Sequence, residues 1–512
     1  MKRISIISTI LAAMVLSVTS CDMDLRPAGT LEPENAFQTA TDAEYFHIGF
    51  YQALHGRVAG AQVYLTELQS DLFHATVGYG NRGGNMYNWT FTVSDGDVQG
   101  RFSSPYSGIA NANYFITNAN LVDTTGWEAA EKENLIIYKG EAFFLRAYYH
   151  MMLAEKFCKD YVGNEESYGI PYVTVYNATS DQSQYPDRGT LRETYEKINQ
   201  DLDSAAAYLT TPGQVGSIYL TADVVTALRA RVALYTGDYQ AAVNYASSLI
   251  NSGRYPLIAA GDTEAFNNMW VNDSGQECIM QLWADINNYV TVDYGYIGYN
   301  ESEGTYGPDF IPEQWVLDLY GTSDVARGND MRFAQFFRYT TITMPGPEEF
   351  DLYIFFKFPG NPELKAATSN ALTARQKAKP FRIAEQYLIL AEAYARLGNA
   401  SAACDALNTL RDHRIVNNTP VTASGDALMT AILEERTREL IGEGFRLLDL
   451  RRFDEPVMRG AAQDEDAIMF PFNNQGTFHR DPSDFRFVFP IPQEEIDANP
   501  NLAGQQNEGY NN

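Results

Sequence analysis

Apolar positions along much of the chain recur at intervals of three and four, the period of one face of an α-helix. In residues 191–209 the stripe is Ile198, Leu202, Ala205 and Leu209, with charged residues between them. Residues 141–157 (EAFFLRAYYHMMLAEKF) are apolar on nearly every side, which predicts a helix buried all round. Residues 42–54 and 108–121 also read as helices, and 426–441 sets Leu428, Ile432 and Leu440 against a charged face. Two further stretches, 220–250 and 384–410, align with each other without gaps. Ala230, Gly237, Ala242 and Leu249 in the first correspond to Ala391, Gly398, Ala403 and Leu410 in the second. This is the pattern of a tetratricopeptide-like helical hairpin. Ala lets two helix axes approach, and Gly followed by Asp238 or Asn399 ends the first helix in a left-handed turn. The copies are not in tandem, which argues against a regular solenoid.

Three stretches break the helical period: 72–107, 285–312 and 341–380. They mix Gly, Asn, Asp and Pro with aromatic residues, and the last contains short strand-like runs such as Tyr353-Ile354-Phe355-Phe356. Loops of this length in a compact protein usually carry function. The expected architecture is therefore mainly α. A helical-hairpin scaffold spans residues 36–512 as one domain, with large irregular aromatic and Gly-rich loops and a few short strands.

The first residues have a different character. Lys2 and Arg3 precede an apolar run from Ile4 to Leu16, then Val18-Thr19-Ser20-Cys21. Charge, apolar stretch and small residues in that order predict a secretory signal over 1–20. The Cys that follows resembles a lipoprotein box, in which Cys21 becomes the lipidated first residue of the mature chain. Residues 21–35 then read as an extended tether. Lipid on Cys21 would anchor the protein to a membrane without spanning it.

Charge narrows the range of partners. Lys and Arg total 37 against 65 Asp and Glu, a net charge of −28, which disfavours nucleic acid because phosphate backbones need clustered cations. Four Cys in 512 residues exclude a disulfide-stapled scaffold. The six His show no ligand spacing, and no zinc-protease, nucleophile-elbow or phosphate-loop motif is present. Gly78, Gly80 and Gly83 spell a G-x-G-x-x-G, but the residues after it are a poor helix start. Neither an enzyme nor a bound metal or cofactor is expected.

What stands out instead is aromatic residues interleaved with planar polar ones. Sugar rings present C–H faces that stack on aromatic rings, while their hydroxyls need polar partners. The first loop and its edge supply Asp71, Arg82, Tyr87 and Trp89; the second supplies Tyr289, Tyr294, Tyr296 and Tyr299. These eight are the candidate ligand residues, with Trp89 and Tyr296 foremost for ring stacking and Asp71 and Arg82 as polar partners. The two loops are expected to converge on one exposed face.

Several segments together resemble the SusD/RagB family of Bacteroidetes outer-membrane nutrient-binding lipoproteins. They are LEPENAF at 31–37, FLRAY at 144–148, both hairpins, ERTRELIGEGFRLLDLRRF at 435–453 and FPIPQEEIDANPNLAGQQN at 489–507. Read from the residues, Arg436, Arg438, Glu439, Glu443 and Arg446 are expected to form a scaffold ion network. The resemblance implies a surface-exposed, lipid-anchored protein of the outer membrane. It would sit as a lid on a SusC-like TonB-dependent transporter and deliver oligosaccharides to it. Glu67-Leu68-Gln69-Ser70-Asp71-Leu72 has a RagB-like look, which keeps an oligopeptide ligand open as the alternative.

Overall fold

A computed structural model describes residues 36–291, 295–345, 348–469 and 478–510. The predicted signal peptide, Cys21, the tether and Tyr294 lie outside the described residues. The longer helices are α1 (Ala40–Val58), α2 (Ala61–Gln69), α3 (Gly96–Leu121), α4 (Ala129–Phe157), α5 (Leu191–Tyr208), α6 (Ala222–Tyr235) and α7 (Tyr239–Asn251). After a long excursion come α8 (Ile383–Arg396), α9 (Ala400–Asp412), α10 (Gly425–Leu440) and α11 (Arg446–Phe453).

The two repeated segments fold as their pattern predicts. Gly237 and Gly398 take φ of +76° and +78°, and the next residue caps the following helix. Asp238 accepts the Ala241 N–H at 3.0 Å, and Asn399 accepts that of Ala402 at 3.2 Å. Ala230, Ala242, Ala391 and Ala403 are all fully buried. The order in space is more regular than the order in sequence. Helix α8 packs against α7 as well as against its own partner α9, although residues 252–382 intervene. On one side α4 packs between α3 and α5, and α5 meets α6; on the other, α10 lies on α8 and α9. The hairpins thus form one continuous stack despite their separation in the chain.

One predicted boundary is corrected. Residues 96–107, expected as loop, form the start of α3, which carries Pro105 within it. Asp95 caps this helix by accepting the Asp97 N–H at 2.9 Å. Gly96, Gly100 and Pro105 make the segment intrinsically poor helix, but buried Val98, Phe102 and Ile109 pin it to the core.

The expected ion network sits at the base of the stack. Glu439 accepts from Arg332, Arg382 and Arg414 at 3.1, 2.8 and 3.0 Å. Glu435 accepts from Arg332, Arg411 and Arg438, each at 2.7 Å. Glu443 joins Arg382 to Lys357, while Arg436 pairs with Asp449 and Arg446 with Asp71. Burial alone would raise the pKa of Glu435, yet its three guanidinium neighbours outweigh that and hold it down at about 2. Glu439 is driven lower still for the same reason.

The excursion between α7 and α8 leaves and returns through a narrow neck. Strand β2 (Cys278–Met280) pairs antiparallel with β8 (Phe381–Arg382), and α8 begins directly after it. The strands that shape the loop region include β1 (Phe73–Ala75), β3 (Tyr299–Asn300), β4 (Thr305–Tyr306), β5 (Phe310–Pro312), β6 (Phe337–Thr343) and β7 (Glu349–Phe355). A four-stranded sheet runs in the order β3, β4, β6, β7, with β4 parallel to β6 and the other pairs antiparallel.

Candidate functional site

The first and second loops meet. Strand β1 pairs antiparallel with β5, placing Ala75 opposite Phe310 and Phe73 opposite Pro312. Beyond it, the Thr76 N–H donates to the Asp309 carbonyl at 2.9 Å and the Thr76 hydroxyl to Pro308 at 2.8 Å. Arg82 Nε reaches the Asp309 carboxylate at 3.0 Å. The third segment joins them, because a Cβ on Gly78 would lie within 3.2 Å of both Met344 and Pro345. Residues from all three excursions therefore border one surface.

The sequence candidates divide sharply across it. Trp89 is fully buried, its indole N–H donates to Gln69 O at 2.9 Å, and its ring meets Phe487 edge-on at 4.8 Å. Tyr296 is buried between Phe73 and Phe355. Tyr87 is buried under the Arg459 guanidinium, 3.9 Å from the ring centroid, and its hydroxyl accepts the Ala75 N–H at 3.0 Å. Asp71 forms a two-pronged pair with Arg446 at 2.8 and 2.7 Å. The expectation that these four face a ligand is corrected: they hold the loops to the scaffold. The physical reason is that a loop rich in Gly has few other apolar groups, so its large rings are what fasten it down.

The RagB-like segment 67–72 is likewise interior. Glu67 is buried against the turn after α10, where it accepts the Gly444 N–H. Burial pushes its carboxyl up to about 7.

Arg82, Tyr289 and Tyr299 lie nearer to solvent. Arg82 is exposed and tied to Asp309. Tyr289 is half-buried beneath the Arg375 guanidinium, 3.9 Å away. Tyr299 is half-buried with its centroid 5.2 Å from that of Tyr306, its partner across β3 and β4. Tyr306 in turn lies opposite Ile342 on β6, so it shares a face with Arg338, four residues back along that strand. Arg338 Nη1 donates to the Tyr306 hydroxyl at 2.9 Å, and its guanidinium sits over the ring of Phe356, 3.5 Å from the centroid. Tyr306 belongs to the aromatic set of the second loop though not to the eight foremost residues, and Arg338 lies outside the candidates altogether. The alternation of Tyr339, Thr341 and Thr343 before Pro345, then Phe350 to Phe355, was a hairpin signal that would have drawn the boundary earlier.

The opposite face of the same sheet carries a second ring pair, Tyr339 and Tyr353, 5.1 Å apart, with Tyr339 61% exposed. Such an arrangement can stack planar or ring-shaped groups and donate hydrogen bonds from fixed guanidinium planes. Among the described residues no group of three His, Cys, Asp or Glu is placed to hold a metal ion. No helix among them is long and apolar enough to cross a membrane.

Comparison with known proteins agrees with this architecture. Residues 288–510 match the family model described as SusD family. Residues 31–234 match one described as starch-binding associating with outer membrane. SusD-like proteins P38 and P2 of Formosa agariphila are 23% and 26% identical, over 99% and 97% of this chain and 99% and 98% of theirs. A SusD superfamily protein of Bacteroides thetaiotaomicron superposes with a TM-score of 0.73 at 23% identity, covering 90% of this chain and 98% of its own. A SusD-like carbohydrate binding protein of Bacteroides vulgatus gives 0.72 at 19% identity, covering 92% and 99%. With the hairpin stack, the ion network and the loop excursions in place, the chain belongs to the SusD/RagB family.

Proposed function

We propose that this protein is a non-catalytic nutrient-binding protein of the cell surface, held to the outer membrane by lipid on Cys21. It captures oligosaccharides and delivers them to a SusC-like TonB-dependent transporter. The observation that carries the binding step is the Tyr299–Tyr306 pair, with Arg338 fixed beside it and exposed Asn300 at its edge. Two adjoining rings give a hydrophobic floor for sugar C–H faces, and the guanidinium and amide answer the hydroxyls. The family description of starch binding at the outer membrane points the same way. Arg82 and Tyr289 are proposed as secondary contacts.

Calorimetry with a glycan panel and a peptide panel tests it. An oligosaccharide is expected to bind, and Tyr306→Ala to weaken it by roughly tenfold to a hundredfold, the effect of losing about 1–3 kcal/mol of stacking. Binding of peptides alone would replace the glycan reading with the RagB-like one. Anchoring is tested separately. Cys21→Ala is expected to leave the folded body intact and release it from membranes of cells lacking the partner barrel. A variant still membrane-bound in those cells contradicts the lipid anchor.

A further inference from the structure

Beside the Tyr306 face lies a cleft of about 410 Å³ between the sheet and the loop that follows β7. Its lining includes Arg338, Lys365, Asn267 and Gln335 over a floor that contains Phe356. None of its lining residues is Asp or Glu. In a chain with 65 acids and 37 bases, a recess with two cations and no acid runs against the overall composition.

The two cations are also uncommitted. Arg338 spends one N–H on a neutral phenol and rests on a ring, contacts that fix its plane without balancing its charge. No ion pair to Arg338 or Lys365 is formed among the described residues. Among the described residues Lys365 Nζ hydrogen-bonds only to the Ala371 carbonyl, at 3.4 Å. Glu363, on the loop itself, is exposed, lies outside the cleft lining and forms no ion pair with Lys365 among the described residues; Glu301, which reaches the loop from β3, is engaged by the Asn370 N–H at 2.6 Å and by the Ser369 hydroxyl. In the scaffold network Arg332, Arg382 and Arg414 each meet carboxylates, while buried Arg188 and Arg459 are satisfied by several carbonyl oxygens. A planar guanidinium held open next to an ammonium suits a carboxylate or a sulfate ester, which it can grip with two parallel hydrogen bonds.

We propose that this cleft is an anion subsite: the oligosaccharide captured here carries acidic groups, and one of them sits between Arg338 and Lys365 while neighbouring sugar rings lie on Tyr299 and Tyr306. The inference rests on the glycan reading above and narrows it to acidic glycans. The net charge of −28 repels an anionic ligand at long range, so a local cationic recess is what such a ligand would require.

The test uses the full chain and three matched probe sets of equal length: neutral oligosaccharides, uronic-acid oligosaccharides and sulfated oligosaccharides, each titrated at low and high salt. Acidic probes are expected to bind at least tenfold more tightly than neutral ones, and the preference to shrink as salt rises. Whichever acidic set binds identifies carboxylate or sulfate as the group. Arg338→Gln is expected to weaken acidic binding about tenfold more than neutral binding, to which its guanidinium also contributes, with Arg338→Lys restoring part of the loss. Lys365→Gln gives a smaller loss of the same kind. Equal affinity for neutral and acidic sugars, or an Arg338→Gln loss equal for both, overturns the anion subsite and leaves the glycan reading standing. Binding of peptides and of no sugar overturns both.

Discussion

The ion network under α10 and the surface around Tyr306 are built from the same side chains and use them oppositely. In the network, Arg332, Arg382 and Arg414 converge on Glu439, and all three are fully buried. At the surface, Arg338 and Arg375 sit over the rings of Phe356 and Tyr289 and meet no carboxylate among the described residues. The aromatic residues divide in the same way. Trp89 is sealed against Phe487, whereas Tyr339 shows most of its ring to solvent. Buried charge that is fully paired fixes one arrangement of the chain; charge oriented by rings and left unpaired is available to something else.

The comparison breaks most visibly at Glu439. Replacing it with Ala leaves three buried cations short of a partner and is expected to cost about 3–5 kcal/mol, read from chemical denaturation. The same network predicts a sign for pH. Glu435, near 2 when folded against 4.5 as its ordinary value, contributes stability that is complete above about 4.5. That contribution disappears as pH falls towards 2. Stability measured from pH 6 down to pH 2 should therefore decline, and Glu439→Gln, by loosening its neighbours, should flatten the decline. A steady stability over that range would contradict the pairing.

Trp89→Ala should also fall in the range of about 3–5 kcal/mol, because it empties a core site and leaves Gln69 O without its donor. Ligand affinity per folded molecule should be unchanged, which calorimetry on the purified variant would check. Ala391→Leu should overpack α8 against its neighbours and cost about 1–3 kcal/mol, seen as a lowered denaturation midpoint. At the small end, Tyr339→Ala should shift stability by no more than about 0.5 kcal/mol, since its ring is mostly in water. A large loss there would mean that the second ring pair braces the sheet.

The helices were legible because their signals are local. Ala391, Gly398 and Asn399 lie within nine positions and specify a buried approach, a left-handed turn and a cap without reference to the rest of the chain. The site was legible in composition and not in detail. Trp89 and Tyr299 each stand beside Asn in a Gly-rich stretch, and nothing local tells which ring is interior. Burial is decided by distant partners: Phe487 closes over Trp89, and Arg446 claims Asp71 from 375 positions away. Arg338 carries no local signal, because its meaning depends on Tyr306 across a parallel strand pair, which no short window contains.

The neck at β2 and β8 has a consequence for how this molecule can diversify. The ends of the excursion are clamped side by side, and Arg332 and Lys357 stitch its interior to Glu439 and Glu443. Between these stitches β3 pairs with β4 and β6 with β7 as hairpins, while β5 is held to β1 and β4 to β6. For a flexible loop whose ends are already fixed, doubling the length adds only about 0.6 kcal/mol of closure entropy. Insertions and replacements can therefore accumulate at those hairpins while the hairpin stack keeps its register. A chimera that receives the outer hairpins of a relative should acquire that relative's ligand preference and keep this chain's melting behaviour.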